Sequence, residues 1–252
     1  MNGIPFERIN QMLPAFINTN GKGGDIWGFN ADISNAPETI CDCGTGLYTY
    51  PAAASVMKVS SAHADDDAAT GEGAHTVQVW GLDANYEEIT DTVTMDGLVA
   101  SLTINSYIRI HKVQVITAGT QLDNAGQIYV GTGNLTNGVP DNIFGSILAD
   151  HNSSNIGRYT IPAGHRGYIT SFHASSFGTG SNVATAWLAM RPEGQVFSKE
   201  SIVQVQNGTA PAEHKFIIEE VAEKTDIELR GESSNADVAI SARVEILVCR
   251  TP

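Results

Sequence analysis

The segment from Ala74 to Val130 constrains the fold most strongly, because short runs with β-strand patterning alternate in it with Gly, Asp and Asn turns. Gly81–Asn85 and Asp96–Gly97 contain the residue types that favour tight turns. The strands predicted in this segment are 76–80, 89–95, 106–116 and 126–130. No catalytic motif interrupts the segment. We therefore expect a β-scaffold that functions through its shape and its surface.

The second half of the chain continues the pattern. Residues 157–169 place a Pro-Ala-Gly turn between two alternating segments, which predicts a β-hairpin. Val238–Val248 keeps every second residue apolar, as a strand with one buried face does. Further strands are predicted over 183–190, 216–220 and 226–229, with a turn at 191–194. Since no long stretch keeps a helical period, we predict an all-β protein with two β-sandwich or jelly-roll-like domains.

The chain divides by pattern into three parts. Residues 1–50 form a loop-rich N-terminal arm, residues 51–150 the first β-sandwich domain and residues 151–252 the second, jelly-roll-like domain. The boundary near residue 150 falls in a connection, 131–155, that has little regular pattern. The arm contains aromatic residues in a loop-rich setting, and two structures fit it equally. It either reaches over a neighbouring subunit or packs as a first strand on its own domain.

Composition excludes several classes of partner. The chain has 252 residues, 42% of them hydrophobic, which is enough for a core without a metal or disulfide staple. Its 14 Lys and Arg against 28 Asp and Glu give a formal charge of −14, which repels phosphate backbones and anionic membranes. The N-terminal residues lack a signal-peptide pattern, and no apolar run is long enough for a membrane span. We expect no nucleic acid or membrane partner, and synthesis in the cytoplasm.

Cysteine and histidine usage predicts neither disulfides nor a metal site. Cys41 and Cys43 enclose one residue and Cys249 lies far along the chain, so we expect reduced thiols. A Cys-X-Cys metal site would need two further ligands that the sequence does not cluster. The seven histidines never form a spaced ligand pair; they are His63, His75, His111, His151, His165, His173 and His214.

The acidic run Asp65–Asp67 has two interpretations. Its carboxylates could hold a calcium ion, with Asp65 and Asp67 on one side of an extended chain and Asp66 on the other. The spacing does not match an EF-hand loop, so the sequence favours a solvated loop.

No catalytic residue or cofactor is predicted. A nucleophile elbow and a Gly-rich phosphate loop are both absent, and no pair of carboxylates stands out. Trp27, Trp80 and Trp187 have the side chain that stacks on sugars, which leaves a carbohydrate-binding module open. Trp80 and Trp187 lie within apolar strands, where we expect burial in the core.

Five segments of the chain form a pattern that is found in other proteins: Gly81–Gly97 (GLDANYEEITDTVTMDG), Tyr107–Ile110, Ala118–Gly119, Gly126–Ile128 and Tyr159–His165. They resemble recurrent segments in virion proteins of tailed bacteriophages and related aquatic viruses. The first of them is distinctive, whereas the Ile-Pro-Ala-Gly turn in the last is common in β-sandwiches. The resemblance implies a structural component of a virus particle built from β-sandwich modules, and it carries over no catalytic residue.

The first hypothesis that follows is a capsid decoration (cement) protein located in the virion. It would be a homo-oligomer, a trimer in the first instance, with the major capsid protein or other virion proteins as its further partners. The residues expected to contact a partner are Trp27, Phe29, Tyr48 and Tyr50. A neck or tail adaptor, or a fibre-base subunit, is the alternative within the virion. A carbohydrate-binding β-sandwich is the alternative from another class.

Overall fold

A computed structural model describes residues 22–177, 183–206, 212–234 and 238–251, with the backbone alone for 212–218. Sixteen β-strands and no helix occur among these residues, so the all-β prediction is confirmed. In chain order the strands are β1 Lys22–Ile33, β2 Glu38–Thr39, β3 Ser55–Ser61, β4 Ala74–Leu82, β5 Glu88–Thr94, β6 Ser101–Tyr107, β7 Arg109–Ala118, β8 Ile128–Thr136, β9 Val139–Ile147, β10 Arg158–Thr160, β11 His165–Phe177, β12 Val183–Arg191, β13 Ser198–Gln206, β14 Ala212–Val221, β15 Asp226–Ser233 and β16 Val238–Arg250.

The described chain packs into two compact units. The central unit comprises residues 42–44 and 48–156, and the terminal unit comprises residues 22–41, 45–47 and 157–251. Residues 22–33 of the predicted arm form β1, which pairs with β16 of the same chain. Residues 1–21 lie outside the described residues. The predicted reach over a neighbouring subunit and the domain boundaries at residues 50 and 150 therefore stay predictions.

The central unit consists of two antiparallel sheets. One has the strand order β6-β3-β8-β9 and the other β5-β4-β7. Their inward-facing side chains form one apolar cluster, in which Met57, Val79, Val113 and Ile128 are fully buried. Alternation along β4 explains this arrangement, since Val77 and Val79 point inward while Gln78 between them does not.

The terminal unit also consists of two antiparallel sheets. One has the order β1-β16-β11-β14, and the other has the order β10-β15-β12-β13, with the short β2 on β15. Along β16, every second residue from Val238 to Val248 is buried, which confirms the period-two prediction. β16 pairs with β1 on one side and β11 on the other, so its buried face lies in the middle of the core.

The hairpin predicted over residues 157–169 is wrong. β10 pairs with β15, whereas β11 pairs with β14 and β16, so the Pro162–Gly164 turn carries the chain from one sheet to the other. Ile161, the residue after β10, packs against Gly167 of β11. Ile161 is fully buried, and a Cβ added at Gly167 would lie 2.6 Å from Cδ1 of Ile161. Turn residues specify a reversal of the chain, but the burial of Ile161 decides which sheet each strand joins.

The connection predicted over residues 131–155 contains regular structure instead. β8 extends to Thr136 and β9 begins at Val139, joined by Asn137 and Gly138, both with positive φ (51° and 81°). An Asn-Gly pair with two positive φ values is the two-residue hairpin turn that matches strand twist. The register shifts between Thr132 and Leu135, and this irregularity removes the alternation that would have shown the strands in the sequence.

Candidate functional site

The four aromatic residues predicted to contact a partner separate into two pairs. Trp27 and Phe29 lie on β1 of the terminal unit, where the Trp27 side chain is 57% exposed and Phe29 is half-buried. Tyr48 and Tyr50 belong to the central unit and are half-buried, with their ring centroids 4.7 Å apart in an edge-to-face arrangement. Their role in partner contact stays a prediction.

Tyr50 also has an internal role. The buried Arg109 guanidinium lies 4.7 Å from the Tyr50 ring centroid and 5.4 Å from that of Tyr86. A cation between two aromatic rings is attracted by both ring faces. This contact fixes Tyr50 within the central unit and makes one face of its ring unavailable to a partner.

An exposed apolar surface of the central unit lies along β6. We call it the β6 strip, and its members are Val56, Val99, Leu102 and Ile104. Ile104 is 87% exposed, Val99 60% and Leu102 59%. β6 is the edge strand of its sheet, and Leu102 lies directly opposite Lys58 of β3. Neighbouring apolar side chains exposed on an edge strand are typical of a contact surface.

A bulge in β6 turns Ile104 outward. Lys58 pairs with Leu102 and Val56 with Ser106, so three residues of β6 lie opposite one residue of β3. The backbone N–H of that single residue, Met57, donates to Oγ1 of Thr103 at 2.9 Å in place of a ladder bond. Bulges bend the edge and interrupt its backbone ladder. The strip is therefore suited to side-chain contacts and not to the addition of another strand.

A buried carboxylate holds the bulge in place. Asp91 of β5 accepts hydrogen bonds from the backbone N–H and the side-chain amide of Asn105 (3.0 and 3.1 Å) and from the Tyr107 hydroxyl (3.0 Å). Burial raises the pKa of Tyr107, and the hydrogen bond to Asp91 and its charge raise it further. We did not predict this anchor, but an aspartate at an inward-facing strand position, two residues before the buried Val93, was its signal in the sequence.

The outer face of the sheet β1-β16-β11-β14 carries a second candidate site. Strand register places three rows of residues side by side, one from each of β1, β16 and β11. The rows are Phe29–Ser241–Ser175, Trp27–Arg243–His173 and Asp25–Glu245–Ser171. Most of these residues line an open groove of about 400 Å³ on the sheet. We call this surface the Trp27 groove.

Hydrogen bonds and ion pairs order the groove. Nε1 of Trp27 donates to Oγ of Ser241 at 2.9 Å, which fixes the orientation of the indole ring. Nη2 of Arg243 lies 3.0 Å from Asp25 and 3.1 Å from Glu245. The other oxygen of Glu245 accepts the Ser171 hydroxyl at 2.8 Å. The groove thus combines one exposed aromatic platform with a row of ordered donors and acceptors.

The acidic run 65–67 differs from the solvated loop that the sequence favoured. Asp66 is fully buried and accepts backbone N–H bonds from Ala74 (2.7 Å), Ala125 (2.8 Å) and Gly126 (3.0 Å), as well as the Ser61 hydroxyl. Its carboxylate therefore ties together three chain segments, an arrangement that local sequence does not reveal.

The two neighbours of Asp66, Asp65 and Asp67, do not share its buried position. Asp67 accepts the backbone N–H of Ala69 at 2.8 Å and the Thr70 hydroxyl at 2.9 Å, and these bonds lower the pKa of Asp67. Asp65 is exposed. Within the residues that the structure describes, no group of three His, Cys, Asp or Glu side chains is arranged to hold a metal ion.

The other tryptophans differ in burial. Trp187 is buried, as predicted, with Nζ of Lys199 3.8 Å from its ring centroid. The predicted burial of Trp80 in the core is wrong. Trp80 follows the inward-facing Val79 on β4, so its side chain lies half-buried on the outer face of the sheet. Nζ of Lys112 lies 5.3 Å from the centroid of its ring. The three cysteines, all within the described ranges, form no disulfide.

Comparisons with known proteins add little to this description. No protein-family model matches the sequence, and no curated protein matches it. A solved structure described as "Structure of infectious bursal disease virus Gt strain" aligns with 92% of this chain and 75% of its own, at 11% sequence identity and a TM-score of 0.22. A likeness this weak carries no argument about function. The fold defines the class: an all-β protein compatible with β-sandwich or jelly-roll domains.

Membrane insertion by a helix finds no support in the part of the chain that the structure describes, where no helix has the length and apolarity to cross a bilayer.

Proposed function

We propose that this chain is a virion structural protein, an oligomeric capsid decoration protein that stabilises the shell through protein–protein contacts. Its partners would be other copies of itself, in a trimer, and the major capsid protein. The β6 strip carries this proposal, because it presents exposed apolar side chains along the edge strand of a packed sheet. The resemblance of the Gly81–Gly97 segment to virion proteins supports the same function.

The energetics of the strip favour burial against another protein. Fully burying a Leu or Ile side chain contributes about 1.5–3 kcal/mol relative to leaving it in water. Ile104 is held outward by a bulge that Asp91 anchors, so little conformational freedom is lost when a partner covers it. The bulge also disfavours open-ended pairing of edge strands, and closed oligomers are the common alternative.

The charge of the chain is consistent with a position on the outside of a particle. A formal charge of −14 keeps decorated particles apart by repulsion and gives no affinity for a packaged genome. A neck or tail subunit would use the same kind of contact with a different symmetry.

The solution mass of the full chain tests the proposal. The chain has a mass of 26.8 kDa, so light scattering near neutral pH should report three times this value. The trimer should then bind shells assembled from the major capsid protein of the virus that encodes it. A monomer that binds no such shell would contradict the proposal, and a larger ring would favour the neck or tail.

A further inference from the structure

We propose that the Trp27 groove binds a neutral saccharide, with a sugar ring stacked on the Trp27 indole and its hydroxyls bonded to the polar row beside it. The inference is independent of the β6 strip, which belongs to the central unit. All of the residues it uses lie in the terminal unit.

The aromatic platform is the first requirement, and Trp27 meets it. A pyranose ring has an apolar face of C–H groups, and a flat aromatic side chain matches this face in size and polarity. Trp27 is 57% exposed although it lies on a strand of a packed sheet. Its Nε1–H bond to Ser241 holds the ring along β16. A ring fixed before binding loses little entropy when the ligand arrives.

The second requirement is a set of donors and acceptors beside the platform. Arg243 lies in the same row as Trp27, and Asp25 and Glu245 lie in the next row. Strands are about 4.8 Å apart and alternate residues about 6.8 Å apart along a strand, so three rows on three strands cover about 10 by 14 Å. That area suits one or two sugar rings. The groove volume of about 400 Å³ is within the usual range for a small-ligand site, roughly 300–1,000 Å³.

The charge balance selects a neutral ligand. Two carboxylates, Asp25 and Glu245, share one guanidinium, that of Arg243, so the described groups give no net positive charge to attract a phosphate or an acidic sugar. Among the described residues, both ion pairs of Arg243 use the same nitrogen, Nη2. The other N–H groups of Arg243 are hydrogen-bond donors. A saccharide hydroxyl can accept such a bond and donate another, so a hydroxyl-rich ligand matches them.

His173 adds a further polar group at the far side of the groove. It is the β11 residue in the row of Trp27 and Arg243, and its Nε2 lies 3.0 Å from Oγ of Ser171. A saccharide stacked on Trp27 and extending across β16 would reach it. Along the row of Trp27 the site is therefore directional, with an aromatic ring at β1 and polar side chains on β16 and β11.

The test uses the full chain and di- to tetrasaccharides of glucose, galactose, mannose and N-acetylglucosamine, with sialylated and sulfated glycans on the same array. We expect binding to at least one neutral saccharide. In a titration of ¹⁵N-labelled protein with that saccharide, the Trp27 indole N–H resonance should shift and those of Trp80 and Trp187 should not. Trp27→Ala should weaken binding at least about tenfold, as truncation of an aromatic anchor does.

Two variants control this measurement. Trp80→Ala removes a tryptophan from the central unit and should change the affinity by less than about twofold. Ser241→Ala keeps the Trp27 ring but releases its orientation, and should weaken binding by about threefold, the cost of a modest hydrogen bond. If Trp27→Ala fails to fold, the Ser241→Ala affinity and the wild-type indole shift decide the question. No neutral saccharide bound, binding of acidic glycans alone, or an affinity unchanged in these groove variants would each overturn the proposal.

Discussion

The Tyr107 hydroxyl donates a hydrogen bond to the Asp91 carboxylate at 3.0 Å, beneath the bulge that exposes Ile104. The most exposed apolar side chain of β6 is thus supported by a buried polar network. The conformation of the exposed strip therefore depends on this buried network. Mutations in the network and mutations in the strip can measure the contribution of each one separately.

Asp91→Ala should destabilise the central unit by about 2–3 kcal/mol, because it removes the buried carboxylate to which the Asn105 N–H and the Tyr107 hydroxyl donate. Tyr107→Phe removes one donor and leaves the others in place, so its cost should be smaller, about 1 kcal/mol. Urea unfolding of both variants measures the difference. Equal stability of Asp91→Ala and the wild type would show that the bulge does not depend on this carboxylate.

Ile104→Ser combined with Leu102→Ser should leave the free energy of unfolding within about 0.5 kcal/mol of the wild type, since both side chains are mostly exposed. The same variant should lower the solution mass from trimer to monomer. Val196→Ser, which changes a side chain that is 83% exposed in the terminal unit, is the matched control and should keep the trimer. Retention of the trimer in the double variant would exclude the β6 strip as its interface.

Asp66→Ala should lower the free energy of unfolding by about 3 kcal/mol or more, because it removes the acceptor of three backbone N–H groups at once, two of them buried and that of Ala125 partly buried. Asp65→Ala, at the exposed neighbouring position, should cost less than about 0.5 kcal/mol. Thermal unfolding compares the two. Because the Asp66 carboxylate is committed to these bonds, calcium and a chelator should both leave the Tm unchanged. A Tm that rises with calcium would instead show an ion bound to the folded state.

Glu219 should make the terminal unit less stable as the pH rises. Burial raises the pKa of this carboxyl, the nearby charge of Glu200 raises it further, and its Oε2 has no hydrogen-bond partner among the described residues. A folded-state pKa above the unfolded value means that folding favours the protonated form. The stability from this group is thus full below the ordinary glutamate pKa and is lost as the pH rises through the raised value.

Glu219→Gln tests this dependence. The variant should be more stable than the wild type at neutral pH, and its urea midpoint should fall less between mildly acidic and neutral pH. Glu220→Gln, at the adjacent position paired with Arg166, is the control and should not flatten the profile in this direction. Parallel profiles for wild type and Glu219→Gln would show that the buried carboxyl does not control this slope.

Sequence patterning predicted the strands whose alternation is regular and failed where burial depends on distant partners. β16 was predicted along almost its full length, because each buried residue from Val238 to Val248 follows the period of a strand. The predicted pairing of β11 with β10 was wrong, because the turn at Pro162–Gly164 has the same local chemistry whether the next strand joins the same sheet or the other one. The bulge in β6 and the irregular register of β8 also lie outside a simple alternation.

The candidate sites were less predictable than the strands. Trp27 was named from the sequence as a residue expected to contact a partner, but Arg243 and His173 join it only because β16 pairs with β1 and β11 across long separations. Asp66 shows the same limit, since its partners Ala74 and Ala125 come from separate segments. A single sequence contains the residues of such a site without the register that brings them together.

The pairing of β1 with β16 also sets the order in which the strands can fold during synthesis. Trp27 and its hydrogen-bond partner Ser241 are 214 residues apart. A ribosome that adds roughly 5–20 residues per second needs about 10 s or more to cover that distance. All strands of the central unit emerge within this interval, whereas β1 waits for its only pairing partner among the described strands. The nascent chain therefore carries an unpaired β1, with Trp27 exposed, for about 10 s or more, and β1 is open to contacts with other chains during that time.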